Sequence, residues 1–327
     1  MDIGTTLNLA LANLTSPPLL AFVLGVVAVA VRADLRLPDA VYQATSMYLL
    51  LAIGLKGGVA LRVSAPGEVA VPILITIALG IAVPVAAFFV LRWMTRLPVV
   101  DRGAMAAHYG STSLVTFTAA LVFLEAADIS YEGYVATLLT VLEIPGIIVG
   151  LTLAGTARAT GAGWGASLRE VVFGRSVVLL GGGLLIGLIT GPVGYERVQP
   201  FFGDLFTGVL TLFLLEMGVL AGRRLGAVRD AGAGLFAFAV IFPVAAGTAG
   251  IVGGYLAGMS TGGATVLGVL CASASYIAAP AAVRLALPDA QPGITLTTSL
   301  GITFPFNLVI GIPLYLVIAQ ALSGRLG

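Results

Sequence analysis

Charge is what this chain has least of. Only 9% of its 327 residues are Asp, Glu, Lys or Arg, against 59% hydrophobic residues and a mean hydropathy of +1.08. A soluble domain carries about 25% charged residues, so lipid rather than water solvates most of this surface. A net charge of +1 offers nothing to nucleic acid, and no nucleic-acid partner is expected. Cysteine occurs once, at Cys271 in an apolar run, which excludes a disulfide frame. Histidine also occurs once, at His108, and a lone histidine without a Cys/Asp cluster is not a transition-metal site. Lysine occurs once, at Lys56, against fifteen arginines, a ratio that reflects base composition. No phosphate-binding Walker loop is present, which argues against ATP-driven pumping. Gly181-Gly182-Gly183 lies inside an apolar helix rather than after a strand, so its glycines serve packing. No nucleophile–base pair recurs at matched depth, which leaves enzymes the least supported class. Met1-Asp2-Ile3 lacks the basic start of a cleaved signal peptide.

What is present is a series of apolar runs. A bilayer core needs about 17–25 such residues per helix. Ten segments qualify, at about 15–31, 41–61, 68–91, 103–124, 133–154, 171–190, 203–221, 233–257, 264–286 and 293–320. The first is short, and the fourth and ninth are interrupted by polar residues. With the N-terminus outside, twelve arginines fall on inner loops and helix ends: Arg32, Arg36, Arg92, Arg96, Arg102, Arg158, Arg169, Arg175, Arg223, Arg224, Arg229 and Arg284. Only Arg62, Arg197 and Arg325 fall outside. That bias places both termini outside the cytoplasmic membrane.

The two interruptions resemble each other. Gly110-Ser111-Thr112-Ser113-Leu114-Val115 and Ala272-Ser273-Ala274-Ser275-Tyr276-Ile277 stand 162 positions apart, in spans four and nine. Gly57, Ala60 and Arg62 match Gly218, Ala221 and Arg223; Thr137, Pro145 and Val149 match Thr297, Pro305 and Val309. Five spans separate the copies, and an odd repeat inverts the second. The expected fold is all-α, ten transmembrane helices in an inverted 5+5 repeat, a known transporter plan. Residues 1–155 form the first repeat, 156–170 a cytoplasmic linker and 171–327 the second repeat. Gly161-Ala162-Gly163-Trp164-Gly165 reads as a flexible hinge between them.

Breaking a helix in hydrocarbon leaves main-chain groups that need a cavity or buried partners. In the inverted arrangement the half-helices after Ser111 and Ser273 both begin near the midplane. Two positive dipole ends then converge, which makes an anion site without arginine. The alternative is ordinary close packing of small residues between membrane helices. Ionisable residues inside spans are functional candidates. Glu143 sits mid-span beside Pro145, which frees the Val141 carbonyl. Its repeat partner is Thr303, with Thr298, Ser299 and Asn307 nearby. These oxygen ligands suit sodium or a proton, and Glu143, Thr303 and Asn307 form the candidate cation set; a hydrogen-bonded structural carboxylate is the other reading. Glu216 is assigned to helix packing or an inner gate, Lys56 to snorkelling, and His108 to a hydrogen-bonded packing role or a proton relay.

The motifs carry a family resemblance. Tyr109-Gly110-Ser111 through Phe117, Glu143-Ile144-Pro145, Pro200-Phe201-Phe202-Gly203-Asp204-Leu205-Phe206, Leu214-Leu215-Glu216-Met217-Gly218, Ser273 through Ala282 and Thr303-Phe304-Pro305-Phe306-Asn307 resemble, in that order, the sodium-dependent bicarbonate transporters of the cyanobacterial SbtA-like kind. The resemblance implies the fold of sodium/proton antiporters and bile-acid symporters, with a core domain, crossed helices four and nine, and a gate domain that builds a homotrimer. It implies sodium-coupled bicarbonate uptake by an elevator motion, with the anion on Gly110, Ser111, Thr112, Ser113, Ser273, Ala274 and Ser275, Na⁺ as coupling ion and no organic cofactor. It also implies a small PII-like cytoplasmic regulator, against which the shortness of the linker 156–170 argues. Another small monovalent anion or carboxylate is the alternative substrate, and an anion-binding receptor or scaffold the alternative class.

Overall fold

The computed structural model describes residues 14–155, 162–228 and 232–326; these are mainly helical, with no strand among them. Arg158, Arg229 and linker residues 156–161 lie outside the described residues, as do residues 1–13. The helices are α1 (Pro17–Ala30), α2 (Asp39–Val63), α3 (Pro66–Met94), α4 (Val99–Gly110), α5 (Leu114–Ala126), α6 (Val135–Leu153), α7 (Ala162–Phe173), α8 (Arg175–Glu196), α9 (Phe206–Val228), α10 (Gly232–Leu256), α11 (Thr261–Ala272) and α12 (Ala278–Ala286). The last, α13 (Pro292–Gly324), widens into π-turns at Thr297–Thr303 and Asn307–Gly311. Among the described residues eight segments are long and apolar enough to cross a membrane, with α4 and α5 counted together. The expected ten therefore shrink to eight by length. α1 is cut to 14 residues, and the ninth span is split into α11 and a nine-residue α12. Exposed Leu20, Leu24 and Val27 on α1, Leu74 and Ile81 on α3, and Leu185 and Ile189 on α8 give the bundle an apolar outer wall.

Proline and glycine punctuate these helices in physically readable ways. Proline stands in the first turn of α1, α3 and α13, where its missing N–H costs nothing. Inside α8, Gly191 takes φ 64°, a left-handed kink that glycine alone enters cheaply, and Pro192 follows it. Pro192 leaves the Leu188 carbonyl without its helical donor. The Arg62 guanidinium on α2 supplies one, donating to Leu188 O at 2.9 Å and Ile189 O at 2.5 Å. Arg62 is thus a helix-mending residue as well as a loop charge. The expected hinge at Gly161–Gly165 differs: helix starts at Ala162, and α7 buries Val171 against Ala279, Ala282 and Val283 of α12.

Two sets of helices pack most closely within themselves. In one, α2 lies along α8 and α1 along α9. Gly25 of α1 meets Gly218 of α9 backbone to backbone, and Gly58 of α2 meets Gly187 of α8 in the same way, leaving no room for a side chain at any of the four. In the other set α3 packs on α4 and α6, α4 on α6, α10 on α11 and α13, and α3 on α10. Carboxylates tie the ends of this second set. The Asp101 carboxylate accepts from Gln291 N at 2.8 Å, and Glu132 accepts from Ser260 N at 2.5 Å.

Candidate functional site

The chain leaves helical geometry at both polar sentences. α4 ends at Gly110 and α5 starts at Leu114, with Ser111 and Ser113 extended. α11 ends at Ala272, Ser273 is extended, and α12 starts at Ala278. The two connectors bond to each other. Ser113 N–H donates to Ser273 Oγ at 2.9 Å, and Ser113 Oγ donates to Tyr276 OH at 3.2 Å. Ser275 N–H donates to the His108 carbonyl at 2.8 Å, and His108 Nδ1 donates back to the Ser275 carbonyl at 2.6 Å. Each serine also binds the first turn of the helix after it. Ser113, the N-cap of α5, accepts at Oγ from Thr116 N at 3.2 Å, and Ser275 Oγ, two residues before the N-cap of α12, accepts from Ala279 N at 3.1 Å.

A small cavity of about 10 Å³, the space for one water molecule, lies between the breaks. Thr112, Ser113 and Leu114 line one side and Ser275, Tyr276 and Ile277 the other, so both half-helices begin at its wall. Glu143 reaches it from α6, Leu50 from α2 and Ser176 from α8. Glu143, Ser176 and Ile277 also line a second cavity of about 310 Å³ that includes Glu170 and Arg175. The two cavities therefore adjoin at these three residues, and the larger one, with Glu170 and Arg175, is a charged vestibule.

The amides of Ser113 and Ser275 are spent on the opposite break. Those of Leu114, Tyr276 and Ile277 make no hydrogen bond among the described residues, and all three residues line the small cavity. They are donors that sequence reasoning left out, although all three stand in the duplicated motif. Ser176 and Leu50, also missed, carry no sequence signal beyond their apolar surroundings. Ser111 Oγ, Thr112 Oγ1 and His108 Nε2 are buried without a hydrogen-bond partner.

The other named residues are distributed as follows. Gly110 packs on Gly146 and Pro84 and does not line the small cavity, nor do Ser111, Ser273 and Ala274. Glu143 is buried, and no hydrogen bond of its carboxylate occurs among the described residues. Thr303 donates to Ala239 O at 2.8 Å, so its one proton is used and Tyr109 OH must be the donor in their 2.6 Å contact. Asn307 donates from Nδ2 to Ala272 O at 2.9 Å and accepts from Tyr315 OH at 2.9 Å. Neither Thr303 nor Asn307 lines a cavity with Glu143. Thr298 and Ser299 bond within their own helix. Glu216, buried on α9, accepts from Leu37 N at 2.8 Å and so holds the α1–α2 connection. Lys56 Nζ lies 4.7 Å from the Phe206 ring, in a separate cavity of about 240 Å³ that Glu125 and Tyr131 share. Among the described residues no group of three or more His, Cys, Asp or Glu stands together as a metal cluster.

A broken-helix pair with one buried carboxylate, in a bundle with an apolar exterior, is the equipment of a membrane transporter. The family model of the Na⁺-dependent bicarbonate transporter superfamily matches residues 17–320. The chain belongs to that superfamily. Membership covers both breaks and Glu143, and makes the protein a transporter rather than an enzyme. No curated protein is significantly similar to the chain in sequence. As a member of the Na⁺-dependent bicarbonate transporter superfamily, the protein is a multi-pass membrane protein, and its eight long apolar helices agree with that.

Proposed function

We propose that this protein is a symporter that couples inward Na⁺ movement to bicarbonate uptake, by an elevator-type motion of the α3–α6 and α10–α13 set against the α1, α2, α8 and α9 set. The observation that carries the reading is the small cavity where α5 and α12 both begin. Helix N-termini present free N–H groups and partial positive charge. The unspent amides of Leu114, Tyr276 and Ile277, with the hydroxyl of Thr112, are the cavity-lining donors offered to a small planar anion, and the unpartnered Ser111 hydroxyl, just outside the cavity, joins them when it widens to admit the anion. Gly110, Ser113, Ser273, Ala274 and Ser275 shape the crossing that presents them.

Glu143 supplies the reason for a coupled cation. A carboxylate and an anion about 4 Å apart repel by about 4 kcal/mol at an effective dielectric near 20. A sodium ion on Glu143 removes that repulsion, so each ligand raises the affinity of the other. Thr303 and Asn307 support this cation from α13 in the same reading, after exchange of their present protein partners.

Repeat symmetry favours the inverted ten-helix plan. Exchanging each span with the one five later turns the α2–α8 packing into α9–α1, the α3–α4 packing into α10–α11, and the Gly58–Gly187 contact into Gly218–Gly25. With both termini outside, the vestibule of Glu170 and Arg175 faces the cytoplasm, and the conformation is inward-facing. A homotrimer through the α1, α2, α8 and α9 set belongs to the same proposal.

Labelled bicarbonate uptake into proteoliposomes, with and without an inward Na⁺ gradient, tests it. Sodium-stimulated uptake is expected, and uptake indifferent to sodium would refute the coupling. Formate, acetate and nitrate as competitors identify a different small anion, and anion binding without flux would indicate a receptor. Glu143→Gln is expected to raise the sodium concentration for half-maximal uptake by roughly tenfold or more, as loss of one ionic ligand does, with a smaller change in bicarbonate KM.

A further inference from the structure

The two breaks assign different partners to equivalent carbonyls, and the difference singles out His108. At the first break α5 starts directly after Ser113, and the Ser113 carbonyl accepts from Phe117 N at 3.0 Å as a normal helical bond. At the second, α12 starts only at Ala278. The amide of Ala279, four residues after Ser275, goes to the Ser275 side chain at 3.1 Å. The Ser275 carbonyl thus loses its helical donor, and His108 Nδ1 takes that place at 2.6 Å. A carbonyl can only accept, so the proton is on Nδ1 and the histidine tautomer is set.

The position makes this matter for the anion. Ser275 lines the cavity between the half-helices. A carbonyl without a donor there would turn its negative end toward the same space and oppose an anion. The repeat counterpart of His108, 162 positions on, is Leu270, and no imidazole is needed at that end because Phe117 supplies the donor. His108 is fully buried, and its main-chain carbonyl also receives Ser275 N at 2.8 Å, so two bonds join one residue to one residue across the breaks.

We infer that His108 is a positioning residue for the anion site: its Nδ1–H replaces the helical hydrogen bond missing at Ser275 and holds that carbonyl out of the anion's way. The inference rests on the proposed function.

The test measures sodium-driven bicarbonate uptake by His108→Leu, His108→Asn and wild-type protein in proteoliposomes at saturating Na⁺. Leucine is the residue the other repeat uses, and it fills space without a donor. Asparagine restores an N–H near the Nδ1 position. Losing one buried, well-formed hydrogen bond corresponds to roughly a tenfold change. His108→Leu is therefore expected to raise bicarbonate KM about tenfold with Vmax within about threefold, and His108→Asn to return KM to within about threefold of wild type. An unchanged KM in His108→Leu overturns the inference, and so does equal impairment of both variants. Wild-type protein without sodium-driven bicarbonate uptake would instead sink the proposed function. The same series run on whichever anion is transported then tests His108 separately.

Discussion

The first and second breaks are alike in sequence and unlike in how they are held. Beyond the bonds that join the two breaks, the first is held by its own segment and by backbone. Ser113 caps α5, its carbonyl enters the α5 ladder, and Gly110 lies directly against Gly146. The second is braced from elsewhere. Asn307 of α13 donates to Ala272 O, and His108 of α4 donates to Ser275 O. Ala272 aligns with Gly110 in the matching motifs, so that helix end is covered by a bare glycine at one break and by an amide at the other. A duplicated trace does not require duplicated chemistry. What both copies must keep is a helix start at the cavity wall, and each reaches it with the residues its neighbours allow.

Putting a side chain where the first break tolerates none is expected to have the largest effect. A Cβ at Gly146 would collide with the Gly110 carbonyl, and backbone cannot move aside as a side-chain tip can. Gly146→Val is expected to cost about 3 kcal/mol or more through overpacking, seen as loss of folded, transport-competent protein in thermal unfolding in detergent. A Gly146→Val protein with unaltered unfolding temperature would mean that the α4–α6 contact yields to a side chain.

Removing the brace of the second break comes next. Asn307→Leu keeps the volume but strips the Ala272 carbonyl and the Tyr315 hydroxyl of their shared partner. Two buried groups left unsatisfied cost about 3 kcal/mol together, measured as a fall in unfolding temperature. Wild-type stability would show that the second break does not depend on the α13 brace.

Small residues between apolar ones were enough to locate both breaks along the chain, because an interrupted helix in lipid has few compositions open to it. The bracing was not legible. His108 and Ser275 are 167 positions apart, and no local pattern announces that one will serve the other. Which glycine makes which contact was not legible either: Gly57 meets Ala136 of α6, whereas Gly58 meets Gly187 of α8. In a run such as Lys56-Gly57-Gly58 only packing decides which glycine faces the neighbouring helix. Thr303 and Asn307 were grouped with Glu143 by type and repeat position, but their hydroxyl and amide go to Ala239 O and Ala272 O, acceptors that sequence does not reveal.

The finest distinction lies between Ser111 and Ser273, the same residue in the two copies. Ser273 Oγ accepts from Ser113 N and donates to Leu270 O, so it joins the breaks. Ser111 Oγ is buried with no partner. Ser273→Ala leaves the Ser113 amide unpaired and is expected to lower stability by about 1–2 kcal/mol. Ser111→Ala removes a hydroxyl that nothing in the fold uses, so its unfolding temperature should match wild type. What it can change is anion affinity. If main-chain amides carry most of the binding, bicarbonate KM rises by no more than about threefold, under the net worth of one hydrogen bond. A rise near a hundredfold would make Ser111 a principal ligand. A fall in stability equal to that of Ser273→Ala would mean that its hydroxyl has a structural partner after all, and the asymmetry of the two breaks would disappear at this position.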